Sequence, residues 1–366
     1  MAETVVIIGF IQSLFGILIF VWKRPKHLCF TLLSVWLAVN AIFLGALLLP
    51  FQVVDYFKPG IFPLLFLFGP LLFFYVSSLT IEEFKIRGKH AMHLLPLLLV
   101  GIHRSITNVV SISSNSGLSE NIEYLNNKIY FILLIISLFL YWVFSVKLIL
   151  KHRKTIPFYF SNYSKKNTLT WLIFVVLIFL LFFMIIFFLP AIEKLFNLSF
   201  TKYISLQNNL TIFTFIMVFF GINQSAIFKF KKEEQHNSSI KSEKKYQRSS
   251  LTEIQIANIN DEVFNYLSNK KPYLNPEYSL QMMVDDLNIS RQNLSQVINS
   301  GQKKNFYQLI NDFRVNEVKT LISNAEYSHY TILGIAFQCG FNSKSSFNRI
   351  FKEETGFTPT TYKKSL

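Results

Sequence analysis

The sequence is poor in charged residues and in cysteine. Of its 366 residues only 16% are Asp, Glu, Lys or Arg, whereas an average globular protein has about 25%. The two cysteines, Cys29 and Cys339, lie in segments of opposite character. A disulfide framework is therefore excluded, a cysteine-based metal site is not expected, and we expect two buried thiols.

The sequence also lacks the motifs that mark common enzyme sites. It contains no P-loop, no Rossmann glycine fingerprint, no HExxH motif and no Ser/His/Asp constellation in a motif context. Histidine-kinase and receiver patterns are absent as well. We therefore expect no enzyme activity, no cofactor and no metal.

Apolar residues are abundant instead. They make up 51% of the chain, which has a mean hydropathy of +0.37 and a net charge of +15. A membrane-spanning helix needs about 20 mostly apolar residues. Seven stretches meet that requirement and predict a transmembrane domain over residues 1–228, with spans at 4–21, 29–49, 61–80, 91–110, 128–150, 171–189 and 208–228.

The distribution of Lys and Arg predicts how these spans are oriented. The alternate loops after the first, third, fifth and seventh stretches, counted up to Lys232 and with Lys147 at the end of the fifth stretch, hold 15 basic residues. The opposite side, with Lys128 at the start of the fifth stretch, holds 4. Because basic loops stay in the cytoplasm, we expect the N-terminus outside and the C-terminal part inside the cytoplasmic membrane of a bacterium. His103 and Arg104 fall within the fourth stretch, away from its cytoplasmic end. Arg104 is either an interfacial anchor or, with His103, part of a membrane signal site.

The composition changes sharply after Phe230. Residues 229–250 are charged and polar and predict a flexible basic linker. Residues 251–366 then show apolar residues at helical spacing and no strand alternation, which predicts a soluble helical domain. The fold class is therefore all-α, with a seven-helix transmembrane domain followed by a soluble domain.

Two helix–turn–helix patterns occur in this soluble domain, at about 279–299 and 331–355. In each, two short helices are joined by a tight turn. We predict helix caps at Ser279, Ser290, Thr331 and Ser343, and a left-handed residue at Gly340. One such pattern alone is also typical of plain helical hairpins. Its occurrence twice, around an apolar-striped helix at 306–323, favours two units that contact DNA.

The segment 271–364 resembles the C-terminal DNA-binding domain of AraC/XylS-type transcription regulators. The resemblance rests on "YLNPEYSL", "LSQVIN", "NFYQLINDFRV", "IAFQCGF", "SSFNRIFK" and "GFTPTTYKK". It covers about a quarter of the chain. The overall plan of the chain, several membrane spans followed by this domain, also resembles a subgroup of such regulators found in Bacteroidota. Met283, Val318 and Lys363 depart from the family's usual residues.

The resemblance implies which residues read DNA. The base-reading positions fall on Arg291, Gln292, Ser295 and Gln296 in the first unit and on Lys344, Ser345, Ser346 and Arg349 in the second. Their chemistry suits base edges, and Lys303, Lys304 and Lys352 suit phosphates. The alternative is that these residues are only the solvated faces of amphipathic helices. Residues 251–366 carry 12 basic and 11 acidic residues, a small excess for a DNA-binding domain.

The leading hypothesis is a membrane-bound transcription regulator that couples a signal sensed at or in the membrane to promoter binding. The expected partners are double-stranded DNA, the lipid bilayer, RNA polymerase and a second copy of the chain in a homodimer. The expected signal is a small molecule or a membrane protein. The alternative hypothesis is a membrane receptor or transporter whose helical C-terminal domain docks another protein.

Overall fold

The computed structural model of the chain describes residues 2–24, 26–49, 62–81, 84–113, 118–163, 168–196, 206–223, 251–301 and 303–366. Secondary structure in these ranges is helical, apart from one isolated antiparallel bridge between Phe160 and Ser279. The all-α fold class is confirmed. The predicted linker at 229–250 lies outside the described residues.

The chain divides into two compact units. The first comprises Met1–His152 and Leu169–Ala226, and the second comprises Arg153–Thr168 and Ile227–Leu366. The second unit thus includes a short internal segment that the sequence analysis assigned to the membrane domain. The boundaries predicted at 228 and 250 stay predictions.

The first unit is built from long apolar helices. A 3₁₀ turn, Phe62–Leu67, leads into helix α3 (Phe68–Thr80), and another, Gly88–Leu94, leads into helix α4 (Leu95–Ser113). The last seven residues of helix α5 (Leu118–Tyr159) belong to the second unit. The helices are α1 (Ala2–Trp22), α2 (Leu28–Ala46), α3 (Phe68–Thr80), α4 (Leu95–Ser113), α5 (Leu118–Tyr159), α6 (Thr170–Phe196) and α7 (Leu206–Asn223).

Four helical stretches among the described residues are long and apolar enough to cross a membrane, fewer than the seven predicted. They are Glu3–Trp22, Leu28–Ala46, Phe62–Thr80 and Leu125–Tyr159. In α6 and α7 the apolar stretches that the structure describes without a gap, Thr170–Ile185 and Gln207–Ile222, are shorter. The predicted span 91–110 starts in a 3₁₀ turn, and its α4 part contains His103, Arg104 and several Ser, Thr and Asn residues. The predicted span 128–150 lies within the 42-residue α5, because its charged flanks contain no helix breaker before Pro157.

The interior of the first unit is organised around Trp36, which is 1% exposed. Its indole contacts Phe68 of α3, Phe179 of α6 and Phe213 of α7 at ring-centroid distances of 6.0, 5.9 and 5.6 Å. The buried Asn40 Nδ2 donates to Thr214 Oγ1 at 2.8 Å, a contact that suits helices packed in lipid.

The outer surface of this unit is apolar. On α1, for example, Ile11, Phe15 and Leu18 are 58%, 61% and 60% exposed. Exposing such a continuous apolar face to water would be energetically unfavourable. It is the surface expected of a helix that contacts lipid.

The second unit contains two hydrophobic clusters that share one helix. The first packs α8 (Glu253–Lys270), α9 (Leu280–Leu287) and α10 (Arg291–Gly301), and the second packs α12 (Ile332–Gln338), α13 (Lys344–Thr355) and α14 (Pro359–Lys364). The shared helix, α11 (Phe306–Ser323), contributes Leu309 and Ile310 to the first cluster and Val315 and Val318 to the second. Its bounds are those of the predicted apolar helix.

Gly340 makes the tight turn that brings the second cluster onto α11. Its φ of +90° lies in the left-handed region, as predicted. A Cβ atom there would lie 2.3 Å from the Tyr273 carbonyl oxygen and 2.8 Å from Arg314 Nε. The position therefore requires glycine, because φ is positive and because there is no room for a Cβ atom.

We predict that Gly340→Ala lowers the free energy of unfolding of the second unit by about 3 kcal/mol. About 1–2 kcal/mol comes from the left-handed backbone, and the rest comes from the clash with Tyr273. Burial raises the pKa of the Cys339 thiol to about 12, so this thiol stays unreactive while the unit is folded. The change in the free energy of unfolding is measured by maleimide labelling of Cys339 at increasing urea concentrations, with mass spectrometry as the readout.

The matched control is Gly356→Ala. Gly356 has φ +77° but no atom within 4 Å of an added Cβ, so only the backbone cost of about 1–2 kcal/mol applies. Equal losses in the two variants would show that the close approach to Tyr273 contributes nothing.

Candidate nucleic-acid interface

The first helix–turn–helix unit consists of α9 and α10. Asn288, with φ 52°, makes the turn between them. The predicted caps are confirmed, since Ser279 Oγ accepts from Met282 N–H and Ser290 Oγ accepts from Asn293 N–H at 3.3 and 3.2 Å. Leu294, Val297 and Ile298 of α10 are buried, as predicted. The polar residues of α10 consequently lie on the other face of the helix.

The second helix–turn–helix unit repeats the arrangement with α12 and α13. Thr331 caps α12 and Ser343 caps α13, as predicted. Phe341 is buried just after the Gly340 turn. On α13 the predicted inward residues, Phe347, Ile350 and Phe351, are buried. Two capped helices of 11 and 12 residues therefore present polar first turns.

The eight predicted base-reading residues divide into two exposure classes. They lie in the first two turns of α10 and of α13. Gln292, Lys344, Ser345 and Arg349 are exposed, and Arg291, Ser295, Gln296 and Ser346 are half-buried. Each helix thus groups four of these side chains near its N-terminus, where they are accessible at least in part. Their role in DNA reading stays a prediction.

Arg349 is held by two neighbours. Its Nη1 donates to both carboxylate oxygens of Glu353, at 2.9 and 2.7 Å, and its Nη2 donates to Tyr307 Oη at 3.0 Å. The Glu353 carboxylate raises the pKa of Arg349. The guanidinium must leave this exposed ion pair before it can bind a base.

The three predicted phosphate-contacting lysines differ in their surroundings. Lys303 and Lys352 are exposed. Lys304 is half-buried and forms an ion pair with Asp312 of α11, and the hydrogen bond to Asp312 raises the pKa of Lys304. The positive charge of Lys304 is therefore partly neutralised before any phosphate approaches.

Arg314 on α11 is a central residue that the sequence analysis did not single out. It is 0% exposed, and its hydrogen bonds within the described residues go to neutral oxygens. Nε donates to the Tyr273 carbonyl at 2.8 Å, and Nη2 donates to the Asn275 carbonyl at 2.9 Å. Nη1 donates to the Ser161 carbonyl and Nη2 to Ser161 Oγ, both at 3.0 Å. Burial lowers its pKa to about 9, which leaves the guanidinium charged at neutral pH.

A sequence signal for Arg314 does exist. The residue lies at i+4 from Ile310 and at i−4 from Val318, on the apolar stripe of α11. A charged residue on a buried stripe must find hydrogen-bond partners. The pattern indicates a buried arginine but does not say which segment satisfies it.

The two ionisable residues of the predicted membrane signal site lie on α4 in the first unit. His103 Nδ1 forms a hydrogen bond with Tyr130 Oη, and the Arg104 guanidinium lies 4.9 Å from the centre of the Phe62 ring. His103 and Tyr130 also line a shallow open depression with Leu99, Val100, Ile102 and Ile106. Within the described ranges, no group of three His, Cys, Asp or Glu residues is placed to hold a metal ion.

We predict that Arg314→Lys destabilises the second unit by about 2 kcal/mol. The lysine ammonium cannot reproduce the planar fork that reaches Tyr273, Asn275 and Ser161 together, and at least one buried oxygen loses its donor. Cys339 labelling in urea again measures the loss. The reverse exchange on the same helix, Lys319→Arg, should change stability by less than about 0.5 kcal/mol. Equal effects of the two exchanges would contradict the role given to Arg314.

Comparisons with known proteins identify only the C-terminal part. A family model described as a helix-turn-helix domain matches residues 283–365. These residues contain most of the first helix–turn–helix unit and all of the second. The comparisons with curated proteins and with solved structures give no match. The match agrees with the two capped units and with the AraC-type motifs. The chain carries a C-terminal AraC-type helix-turn-helix domain behind several helices apolar enough for a membrane.

Proposed function

We propose that the protein is a membrane-bound transcription regulator that binds specific promoter sequences. One observation carries the proposal: two capped helix–turn–helix units, each with a polar first turn, are packed on the same helix α11. The 18 residues of α11 span about 27 Å, and one turn of DNA is about 34 Å. Such a spacer suits two recognition helices in successive major grooves on one face of a duplex.

In this proposal the eight polar residues of α10 and α13 read the bases. Arg291, Lys344 and Arg349 suit guanine, and Gln292 and Gln296 suit adenine, while serine is permissive. Lys303, Lys304 and Lys352 contact phosphates and position the domain. The match to a helix-turn-helix family supports DNA as the partner.

The apolar helices anchor the protein in the bacterial cytoplasmic membrane, with the N-terminus outside and the DNA-binding domain in the cytoplasm. The 15 to 4 bias in basic residues between alternate loops supports this orientation. Lys23, which follows α1, donates to the carbonyls of Gly221 and Ile222 at the end of α7, at 2.9 and 2.7 Å. The ends of these two helices therefore lie together, as the orientation requires.

The protein acts as a homodimer that contacts RNA polymerase in this proposal. The small basic excess of residues 251–366 favours weak binding by one copy, and a second copy on the same membrane raises the effective concentration. The signal site includes His103 and Arg104. The hydrogen bond between His103 and Tyr130, beside a shallow open depression, supports this assignment.

We predict that Gln296→Ala with Arg349→Ala weakens specific DNA binding at least roughly thirtyfold. Each good contact to a base contributes about 1–3 kcal/mol, and every 1.4 kcal/mol is tenfold. The measurement uses the full-length chain in nanodiscs and a duplex that the wild type selects from a random pool. Binding to an unrelated duplex should change little, and so should the specific binding of Asn316→Ala, an exposed change on α11.

Two results of this experiment would contradict the proposal in different ways. Equal specific binding by the double variant would show that the reader assignment is wrong. Selection of no duplex by the wild type, together with no enrichment of promoter DNA in chromatin immunoprecipitation, would favour a receptor or transporter with a protein-docking domain.

We also predict that Glu353→Gln tightens DNA binding about two- to fivefold more than Glu354→Gln does. Both changes remove one negative charge, but only Glu353 pairs with Arg349. An exposed ion pair of this kind contributes up to about 1 kcal/mol, which the guanidinium gives up when it turns to a base. Fluorescence anisotropy at one salt concentration compares the variants, and equal effects would show that the pair does not restrain Arg349.

A further inference from the structure

A short segment from between two apolar helices occupies a groove of the DNA-binding unit. Residues Tyr159–Tyr163 form this segment, and Arg153–Thr168 around it belong to the second unit. The groove, here called the seam, is formed by residues 273–279, by Tyr307, Asn311 and Arg314 of α11, and by residues 340–342. It runs between the two hydrophobic clusters, each of which packs around one helix–turn–helix unit.

The centre of the segment is buried and fully engaged. Ser161 is 0% exposed and Asn162 is 6% exposed. The Ser161 N–H donates to the Tyr278 carbonyl at 3.3 Å, and the Ser161 hydroxyl donates to the same carbonyl at 2.5 Å. Ser161 also accepts two of the hydrogen bonds of Arg314. A buried guanidinium without a carboxylate partner depends on such acceptors.

Asn162 links the two halves of the seam. Its Nδ2 donates to the Pro276 carbonyl at 2.8 Å and to the Gly340 carbonyl at 2.9 Å. Pro276 precedes the first helix–turn–helix unit, and Gly340 is the turn of the second. One side chain thus fixes the position of one unit relative to the other.

The aromatic ends of the segment lead to both sets of predicted base readers, one by direct contact and the other through Tyr307. At one end, the guanidinium of Arg291 lies 4.9 Å from the centre of the Tyr159 ring, a cation–π contact. At the other end, the Tyr163 ring packs on Tyr307 at 5.2 Å, and Tyr307 accepts a hydrogen bond from Arg349. The Tyr163 carbonyl accepts from Asn342 Nδ2 at 3.2 Å, just before the cap of α13.

We propose that Tyr159–Tyr163 is an internal ligand of the seam and that its docking competes with DNA binding. The proposal rests on the proposed DNA-binding function. While the segment is docked, Arg291 stays on Tyr159, and the two helix–turn–helix units keep the spacing set by Asn162. Release of the segment frees Arg291 from Tyr159 and lets the two helix–turn–helix units adjust to the duplex. Because the segment is continuous in the chain with α5 on one side and leads to α6 on the other, a change in those helices reaches the DNA-binding unit through it.

Two variants of the full-length chain in nanodiscs test the proposal. Asn162→Ala removes the bridge between Pro276 and Gly340, and Ser161→Tyr introduces a side chain that has no room at a fully buried position. Hydrogen exchange of residues 159–163 and 273–279 reports docking without DNA, and fluorescence anisotropy reports affinity for the selected duplex. Asn316→Ala, exposed on α11 and outside the seam, is the control.

We expect faster exchange in both ranges and about tenfold tighter DNA binding for both variants, a coupling of ordinary size. The control should match the wild type in both measurements. Released segments with unchanged or weaker DNA binding would overturn the competition. A Ser161→Tyr variant whose segment stays as protected as in the wild type would overturn the docking itself. Failure of the DNA-binding function looks different, because then neither the wild type nor the released variants select any duplex.

Discussion

The hydrogen bonds of Arg314 hold the DNA-binding unit together. One buried guanidinium joins α11, the connection between α8 and α9, and the segment that contains Ser161. The Gly340 turn approaches the same group so closely that a Cβ atom would lie 2.8 Å from Arg314 Nε. The two hydrophobic clusters are therefore positioned by a polar contact between them as well as by their shared helix. A buried charge of this kind is costly when a partner is lost and the group stays out of water.

This constraint means that residues 251–366 are not self-contained. Two of the four hydrogen bonds of Arg314 go to Ser161, which lies about 90 residues earlier in the chain than the start of that range. A fragment that begins at Leu251 would leave part of a buried guanidinium without acceptors. The same short segment lies between two apolar helices in the chain. In the proposed function, a stretch of five residues therefore belongs both to the connection between two anchoring helices and to the folded DNA-binding unit.

The sequence predicted the local features of the DNA-binding unit well, because these features depend on neighbouring residues. Helix caps such as Ser343, the left-handed turn at Gly340 and the bounds of α11 follow from side chains within one or two turns. The apolar stripes of α10 and α13 follow in the same way from a 3.6-residue period. The motifs around these residues also carried the resemblance that the helix-turn-helix match supports.

Features that depend on distant contacts or on marginal segments were not predictable in this way. Nothing near Ser161 in the sequence indicates that it binds an arginine 153 residues away. The Arg349–Glu353 pair fits helical spacing, but spacing alone does not decide between an ion pair and a free guanidinium. Four rather than seven spans are found among the described residues. For the predicted span 91–110 the reason is that a composition window does not register that α4 starts in a 3₁₀ turn and carries polar residues.

The most direct test of the account is hydrogen exchange at residues 159–163 in the wild-type full-length chain, measured with and without the selected duplex. The Ser161 amide bonds the Tyr278 carbonyl in the free protein and should exchange slowly there. If DNA and the segment compete for the same unit, saturating DNA will make this amide exchange faster, while the amides of α11 stay protected. Exchange at Ser161 that is unchanged or slower on DNA would contradict the account.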